Sequence, residues 1–288
     1  MRKTRGFTLV EIAIVLVIVG MIIALFATIT GTLLASQRRQ ATVARLTGID
    51  ASLVQFVVQN QRLPCPADGT LPSTNAAAGA EVAPAAGGCT TQTGGVVPWR
   101  ALGLSEQDAT DGWGRRITYR VGNNLTGAGA MNMTLCDPAG TSDSSAGPLY
   151  LCAATCVAVA MNLCTSPLKF LNPPSNVGTA NAKGLRVQNV AGTAIMSPPA
   201  TGAAYVLISA GESGGGAYTS AGQVSPTLTT GGTDGTEEQK NYAALALRAY
   251  YVDDQISDTA GANHFDDVVV RSSVLNVITR ANLGPRAH

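Results

Sequence analysis

The chain has 288 residues and a formal net charge of +1, with 19 Lys and Arg against 18 Asp and Glu. Charged residues make up 13% of it, well below the roughly 25% typical of soluble domains. The 32 glycines and 14 prolines follow no short period. These values exclude a highly charged disordered chain and a collagen-like repeat, and they indicate no nucleic-acid partner.

The N-terminus combines basic residues with a long apolar run. Three basic residues stand within the first five positions, and in the following residues 7–35 the single charged side chain is Glu11. As a helix rising about 1.5 Å per residue, residues 12–36 would reach roughly 37 Å, enough to cross a hydrocarbon core of about 30 Å. The apolar core of a cleaved secretory signal has only about 7–15 residues. The sequence therefore predicts a retained membrane anchor, with the lipid bilayer as a partner.

The segment RGFTLVE, residues 5–11, places a glycine before the apolar run and a carboxylate inside it. A carboxylate within a spanning helix costs about 2.5–3.5 kcal/mol on insertion scales, so we expect Glu11 to have a function. This segment closely resembles the processing site of type IV prepilins and type II secretion pseudopilins. The resemblance implies that prepilin peptidase cuts between Gly6 and Phe7, that Phe7 becomes the methylated N-terminus, and that Glu11 acts in assembly.

The N-terminal helix is predicted to continue beyond the membrane, because no proline occurs between residues 7 and 63. Apolar residues recur there at spacings of three and four, which is typical of a helix that packs one stripe on a globular body. The predicted stripe is Val43, Leu46, Ile49, Leu53 and Val57.

These patterns predict three regions: a cleaved leader (1–6), a transmembrane and assembly helix (7–62), and an exported β-rich globular domain (63–288). The implied fold class is α+β and pilin-like, with a membrane-spanning half and an amphipathic half of the helix. The helix should bend, if at all, at a glycine.

Within the globular part, residues 67–98 are small and polar and predict a long loop. Residues 117–121 alternate apolar and polar side chains and predict a half-buried strand. The Asp-Gly-Trp-Gly turn at residues 111–114 just before it resembles the D-P-W-G segment of pseudopilins, with Gly112 in place of the proline. Further strands are predicted at 204–209 and 268–273.

Two other segments carry weaker predictions. A helix should begin near Thr236, with Gln239 as a capping-box partner. Residues 172–203 contain two Pro-Pro pairs and predict loops or edge structure.

All six cysteines lie beyond the membrane segment, which favours disulfides in an exported domain. Proximity in sequence favours three pairings, although other connectivities stay open. A zinc site is the rival interpretation, but the Cys-x3-Cys spacing lacks a second close pair, and the only histidines are His264 and His288. The favoured pairs are Cys65–Cys89, Cys136–Cys152 and Cys156–Cys164.

Residues 211–215 match the G-x-S-x-G pattern of hydrolases around Ser213. A nucleophile elbow must open a helix, whereas three glycines follow this serine. The protease order requires an upstream histidine, and both histidines lie downstream. The sequence therefore predicts a glycine-rich loop and no enzyme.

The same loop, followed downstream by Asp266-Asp267-Val268, resembles the calcium-binding loop and D-I-V strand of some major pseudopilins. The resemblance implies calcium as the one candidate cofactor, held by carboxylates and loop carbonyls. The alternative is that Asp266 and Asp267 only cap a strand or a turn. The candidate ligands are Glu212, Asp234, Asp266 and Asp267.

The sequence thus predicts a pilin-like structural subunit, and the size of residues 64–288 favours a minor pilin or pseudopilin. Its expected partners are prepilin peptidase, other pilin or pseudopilin subunits and an inner-membrane assembly platform. The expected location is the bacterial inner membrane, with a single pass and a periplasmic or extracellular C-terminal domain. The sequence does not distinguish a subunit of a type IV pilus from a subunit of a type II secretion system. The alternatives are a membrane-anchored exported binding protein that does not assemble, and a tethered hydrolase using Ser213.

Overall fold

The computed structural model describes most of the chain. Within the described residues, only the backbone is described at 25–32, 84–85, 123 and 168–169. The architecture is α+β and pilin-like, with one long N-terminal helix packed on a β-rich body. The described residues are 9–85, 88–89, 92–133, 167–171, 182–226, 235–243, 248–257, 259 and 261–284.

The long helix, α1, runs without interruption from Leu9 to Asn60, over 52 residues. Its first part exposes its large apolar side chains, whereas the part after residue 40 buries one stripe against the body. The predicted stripe is confirmed except at its first position. There Val43 is 48% exposed and Thr42 is fully buried, because the Thr42 hydroxyl accepts a hydrogen bond from the backbone N–H of Gly112 at 2.9 Å.

The central sheet has five strands in the order β1-β4-β6-β9-β12, and every neighbouring pair is antiparallel. The two longest strands confirm the predictions at 204–209 and 268–273, where β-branched and aromatic residues are concentrated. The strands are β1 (Ala67–Asp68), β4 (Gly95–Val96), β6 (Thr118–Val121), β9 (Ala203–Ser209) and β12 (Val268–Ser273).

Three smaller sheets complete the β-structure of the described residues. Two are antiparallel pairs, β2 with β3 and β5 with β10, and the third has the order β11-β7-β8. Their strands are β2 (Pro84–Ala85), β3 (Gly88–Cys89), β5 (Arg115–Arg116), β7 (Val187–Gln188), β8 (Ala194–Met196), β10 (Tyr218–Thr219) and β11 (Tyr251–Val252).

The remaining described elements are short helices. The 3₁₀ turns are Asn123–Leu125 and Glu238–Asn241, and the α-helices are α2 (Pro167–Leu171) and α3 (Val274–Arg280). The predicted helix near Thr236 is thus a single 3₁₀ turn. The predicted capping box is absent there, because the N-cap residue is Glu237 and its side chain makes no capping hydrogen bond.

The sheets correct the loop predicted at 67–98 and confirm in part the loops or edge structure predicted at 172–203, where β8 is an edge strand and β7 a central one. The region 67–98 contains β1 to β4, two of which form one edge of the central sheet. Within the region 172–203, β7 and β8 belong to the three-stranded sheet. Strands of two or three residues are too short to show a period-two pattern, so the sequence gives no sign of them.

The strand predicted at residues 117–121 is confirmed as β6, but the prediction that it is half-buried is wrong. All four residues of β6 are buried, because one face of the central sheet packs on α1 and the other carries a second apolar cluster that includes Val187 and Tyr251 of the three-stranded sheet. The Arg120 side chain is fully buried, and its guanidinium donates to the carbonyl oxygens of Gln92, Tyr242 and Ala243.

Asp50 joins α1 to the sheet and to the C-terminal helix. Its carboxylate accepts hydrogen bonds from the hydroxyls of Tyr205 on β9 and Ser272 on β12. It also forms an ion pair with Arg280 of α3 at 2.6 Å. One side chain on the helix therefore contacts three separate elements of the body.

The Asp111–Gly114 turn explains why glycine stands where the resemblance has proline. A Cβ atom on Gly112 would lie 2.4 Å from the carbonyl oxygen of Arg38 on α1. The turn is also held by Arg45, whose guanidinium donates to the carbonyl oxygens of Thr110 and Asp111 at 2.9 Å. Close approach of the turn to the helix therefore requires a residue without a side chain at this position.

Cys65 and Cys89 form a disulfide with a Cα–Cα distance of 5.5 Å, which is the first of the favoured pairings. Both residues belong to the buried core. The other four cysteines, Cys136, Cys152, Cys156 and Cys164, lie outside the described residues.

Replacing both Cys65 and Cys89 by alanine should lower the free energy of unfolding by about 3 kcal/mol, because the cross-link restricts the unfolded chain. For a body of this size, the melting temperature should fall by roughly 6–12 °C. Thermal unfolding of the detergent-solubilised chain measures the change, with the two single variants as controls. An unchanged melting temperature in the double variant would contradict the stabilising role.

Candidate functional site

The first part of α1 presents an apolar surface that the globular body does not cover. Leu9 is 87% exposed, Leu16 66% and Ile23 62%. Glu11 is also exposed and places a carboxylate inside this apolar surface. Because large exposed apolar surfaces mark contact with a membrane or with other proteins, this part of α1 is the first candidate site.

The described part of α1 contains two apolar stretches, one on each side of residues 25–32. Leu33–Asn60 is long and apolar enough to span a bilayer, while Leu9–Ala24 is a shorter apolar stretch. In the apolar 18-residue window of Leu33–Asn60, 44% is buried inside the protein. Its hydropathy therefore reflects in part the stripe that packs on the body. The processing residues Gly6 and Phe7 lie outside the described residues.

The loop after β9 and the segment before β12 form the second candidate site. The Ser213 hydroxyl donates to Asp266 Oδ1 at 2.9 Å, and its backbone N–H donates to Asp266 Oδ2 at 2.7 Å. A Cβ atom on Gly211 would lie 2.2 Å from the carbonyl oxygen of Asp266. The antiparallel pairing of β9 with β12 brings these segments together although they are far apart in sequence.

An arginine from β5 also contacts the loop. The Arg115 guanidinium donates to the carbonyl oxygens of Ala210 and Glu212, at 3.4 and 3.2 Å. A Cβ atom on Gly214 would lie 1.7 Å from this guanidinium, and Gly214 has a φ of +76°. The glycine-rich sequence therefore leaves room for an arginine side chain against the loop backbone.

Asp266 also belongs to a buried cluster with Glu238 and His264. Its backbone N–H donates to Glu238 Oε1 at 2.6 Å, and His264 Nδ1 lies 2.9 Å from Glu238 Oε2. One ligand atom from each of the three side chains lies within 4.8 Å of the other two. The exposed fractions of Glu238, His264 and Asp266 are 1%, 2% and 2%.

Desolvation is the largest influence on the pKa of Glu238 in this cluster. Burial raises the pKa of the Glu238 carboxyl, because a buried carboxylate loses its hydration. The Asp266 carboxylate beside it acts in the same direction, whereas the hydrogen bonds from the Asp266 N–H and from His264 lower the pKa. Glu238 therefore favours a bound proton or another cation more than an exposed glutamate does.

The four predicted calcium ligands are not brought together as a set within the described residues. Asp266 faces Ser213, but the neighbouring Asp267 accepts a hydrogen bond from Asn241 Nδ2 at 2.8 Å. The Glu212 side chain is exposed, and Asp234 lies outside the described residues. The prediction missed Glu238 and His264, which follow no ligand spacing in sequence and join Asp266 only through the fold.

The geometry so far defines an α+β protein with a long apolar helix packed on a β-rich body. Residues 1–27 match the model of the family described as the prokaryotic N-terminal methylation motif. This segment is the prepilin-type signal of type IV pilins and pseudopilins, and it supports a pilin- or pseudopilin-like precursor.

The match covers the N-terminal segment and not the globular body. No curated protein and no solved structure matches the chain. The motif indicates a structural subunit rather than an enzyme, and it implies processing by prepilin peptidase and assembly with other pilins.

Proposed function

We propose that the protein is a minor pilin or pseudopilin that enters a filament through its N-terminal helix. The observation that carries this proposal is the uncovered apolar surface of α1, which extends from Leu9 to Ile23 among the described side chains. Lipid covers such a surface before assembly, and the helices of neighbouring subunits cover it in a filament. The large globular body supports a minor subunit, because a tightly packed repeating subunit tolerates less bulk.

The partners and location follow from this proposal. Prepilin peptidase acts on the cytoplasmic side between Gly6 and Phe7, and an inner-membrane assembly platform receives the processed chain. The body lies in the periplasm or outside the cell, which agrees with the Cys65–Cys89 disulfide. The filament is a type IV pilus or a type II secretion pseudopilus.

The geometry gives little support to a tethered hydrolase. Ser213 is only 1% exposed, and its hydroxyl lies 2.9 Å from Asp266 Oδ1. A nucleophilic serine must be open to its substrate and paired with a base that can take its proton. Calcium binding by Glu212, Asp234, Asp266 and Asp267 stays a prediction, and the calcium titration described in the next subsection tests it.

Intact-mass analysis of the chain from producing cells tests the processing step. We expect loss of residues 1–6 and gain of one methyl group, because only Gly6 offers a small residue at the boundary between the charged leader and the apolar run. As the control, Gly6→Val should retain the full mass, since a branched side chain replaces the small residue. An unprocessed wild-type chain in cells with active prepilin peptidase would refute the proposal.

A further inference from the structure

The cluster of Glu238, His264 and Asp266 joins three segments that are separate in sequence. Glu238 begins a 3₁₀ turn, His264 and Asp266 precede β12, and Ser213 of the loop after β9 donates to Asp266. Close backbone packing fixes these segments, since a Cβ atom on Gly235 would lie 2.3 Å from the His264 carbonyl oxygen. The donor atoms are therefore held by the fold and not by flexible surface side chains.

The two carboxylates of the cluster, those of Glu238 and Asp266, are buried together and need a positive charge nearby. The hydrogen-bond partners of the Glu238 and Asp266 carboxylates are backbone N–H groups, the Ser213 hydroxyl and the His264 ring. Within the described part of the chain, no Lys or Arg side chain forms an ion pair with either carboxylate. Two carboxylates buried in this way are unfavourable unless one of them takes up a proton or a metal cation is bound beside them.

The contact between His264 Nδ1 and Glu238 Oε2 indicates that the positive charge lies between these two atoms. At 2.9 Å these two atoms cannot both be unprotonated acceptors facing one another. Either a proton lies between them or a metal ion takes the proton's place. A divalent ion would neutralise both carboxylates, and its binding would release the shared proton.

We propose that Glu238, His264 and Asp266 form a structural site for a divalent transition metal, with Zn²⁺ as the best fit. Zn²⁺ accepts imidazole nitrogen together with carboxylate oxygen, whereas Ca²⁺ takes oxygen ligands. The Ser213 hydroxyl lies beside the set, 2.9 Å from Asp266 Oδ1, and offers a further oxygen donor. Since all three side chains are buried, the metal cross-links the body and does not meet a substrate.

The test uses the full chain, solubilised in detergent, purified without a histidine tag and stripped with a chelator. Addition of Zn²⁺ should give one bound ion per chain and raise the melting temperature, because the ion binds the folded state only. His264→Gln and Glu238→Gln should each weaken Zn²⁺ binding by at least about tenfold, in line with the loss seen when metal sites are altered. Absence of Zn²⁺ binding, or unchanged binding in His264→Gln, would overturn the proposal.

The controls are Glu212→Gln, which alters an exposed carboxylate, and His288→Ala, which removes the second of the two histidines. Both should bind Zn²⁺ as the wild type does. If the ligand variants fail to fold, zinc-edge X-ray absorption of the His288→Ala chain shows whether His264 binds the metal, because the remaining imidazole of that chain belongs to His264. One nitrogen ligand is the expected result, and a shell of oxygen alone would overturn the proposal.

Calcium is titrated in parallel on the wild type and on His264→Gln. We expect Zn²⁺ to give the larger rise in melting temperature for the wild type. If millimolar Ca²⁺ stabilises both chains equally and displaces Zn²⁺, Asp266 belongs to a calcium site and the zinc proposal is overturned. Neither result bears on processing at Gly6, so this proposal and the proposed function fail independently.

Discussion

Replacing Glu11 by valine should leave the chain inserted in the membrane and cleaved after Gly6, but absent from sheared filaments. The carboxylate opposes insertion by about 2.5–3.5 kcal/mol, so its removal makes insertion easier. Cleavage exposes an α-amine on Phe7 that is largely cationic near neutral pH. Because Glu11 is the single charged residue of the apolar run, the amine of an adjacent subunit is the counter-ion that we expect for it.

This ion pair would fix the axial offset between neighbouring helices, since a misaligned neighbour leaves two charges without partners in lipid. Loss of roughly 3 kcal/mol corresponds to roughly a 100-fold loss of incorporation. Pairing within one chain is the alternative, because Phe7 and Glu11 are four residues apart and share a helix face.

Immunoblots of sheared fibres and of membranes measure this effect, with the processed chain quantified in both fractions. The matched control is Ile14→Val, which alters an exposed apolar residue of the same segment and should assemble normally. If Glu11→Val enters fibres as well as the wild type does, the role between subunits is wrong. If the variant is lost from membranes too, the carboxylate acts in insertion or stability instead.

Arg116→Met should destabilise the body more than Arg271→Met does. The Arg116 side chain is 1% exposed and forms an ion pair with Glu106 at 2.7 Å. Its guanidinium also donates to the carbonyl oxygens of Gly69 and Leu71, at 3.0 and 2.6 Å. It lies over the Trp99 ring at 5.0 Å. Methionine fills much of the volume of the arginine side chain but cannot donate hydrogen bonds to the Glu106 carboxylate or to the two carbonyl oxygens.

Leaving buried hydrogen-bond acceptors without a partner costs about 1–3 kcal/mol each. A total loss of roughly 3 kcal/mol corresponds to a fall in melting temperature of roughly 6–12 °C for a body of this size. Arg116→Lys should recover only part of this loss, because an ammonium cannot reproduce the planar arrangement of donors.

Arg271→Met is the matched control for Arg116→Met. Arg271 also forms an ion pair, with Asp253 at 2.7 Å, but both of its members are partly open to solvent, with side chains 27% and 22% exposed. Solvent screens such a pair to a contribution of about 0–1 kcal/mol, so this variant should lower the melting temperature by only a few degrees. Equal effects of the two methionine variants, measured by thermal unfolding of the solubilised chain, would contradict the importance of burial at Arg116.

Local sequence patterns were sufficient to predict several features of this protein. The N-terminal signal is a contiguous string, and the helical stripe at Leu46, Ile49, Leu53 and Val57 follows from the period of one helix. The strands predicted at 204–209 and 268–273 follow from short segments rich in β-branched and aromatic residues. In each case, residues close in sequence carry the whole signal.

The tertiary structure alone decided which distant groups meet. The helix buries Thr42 in place of Val43 because the turn at Gly112 bonds to its hydroxyl. Arg116 and Arg120 are buried because backbone carbonyls from other segments surround them. Glu238 meets His264 and Asp266 only through the fold. Such contacts join residues that no local period relates, because their proximity is set by strand pairing and packing across the whole body.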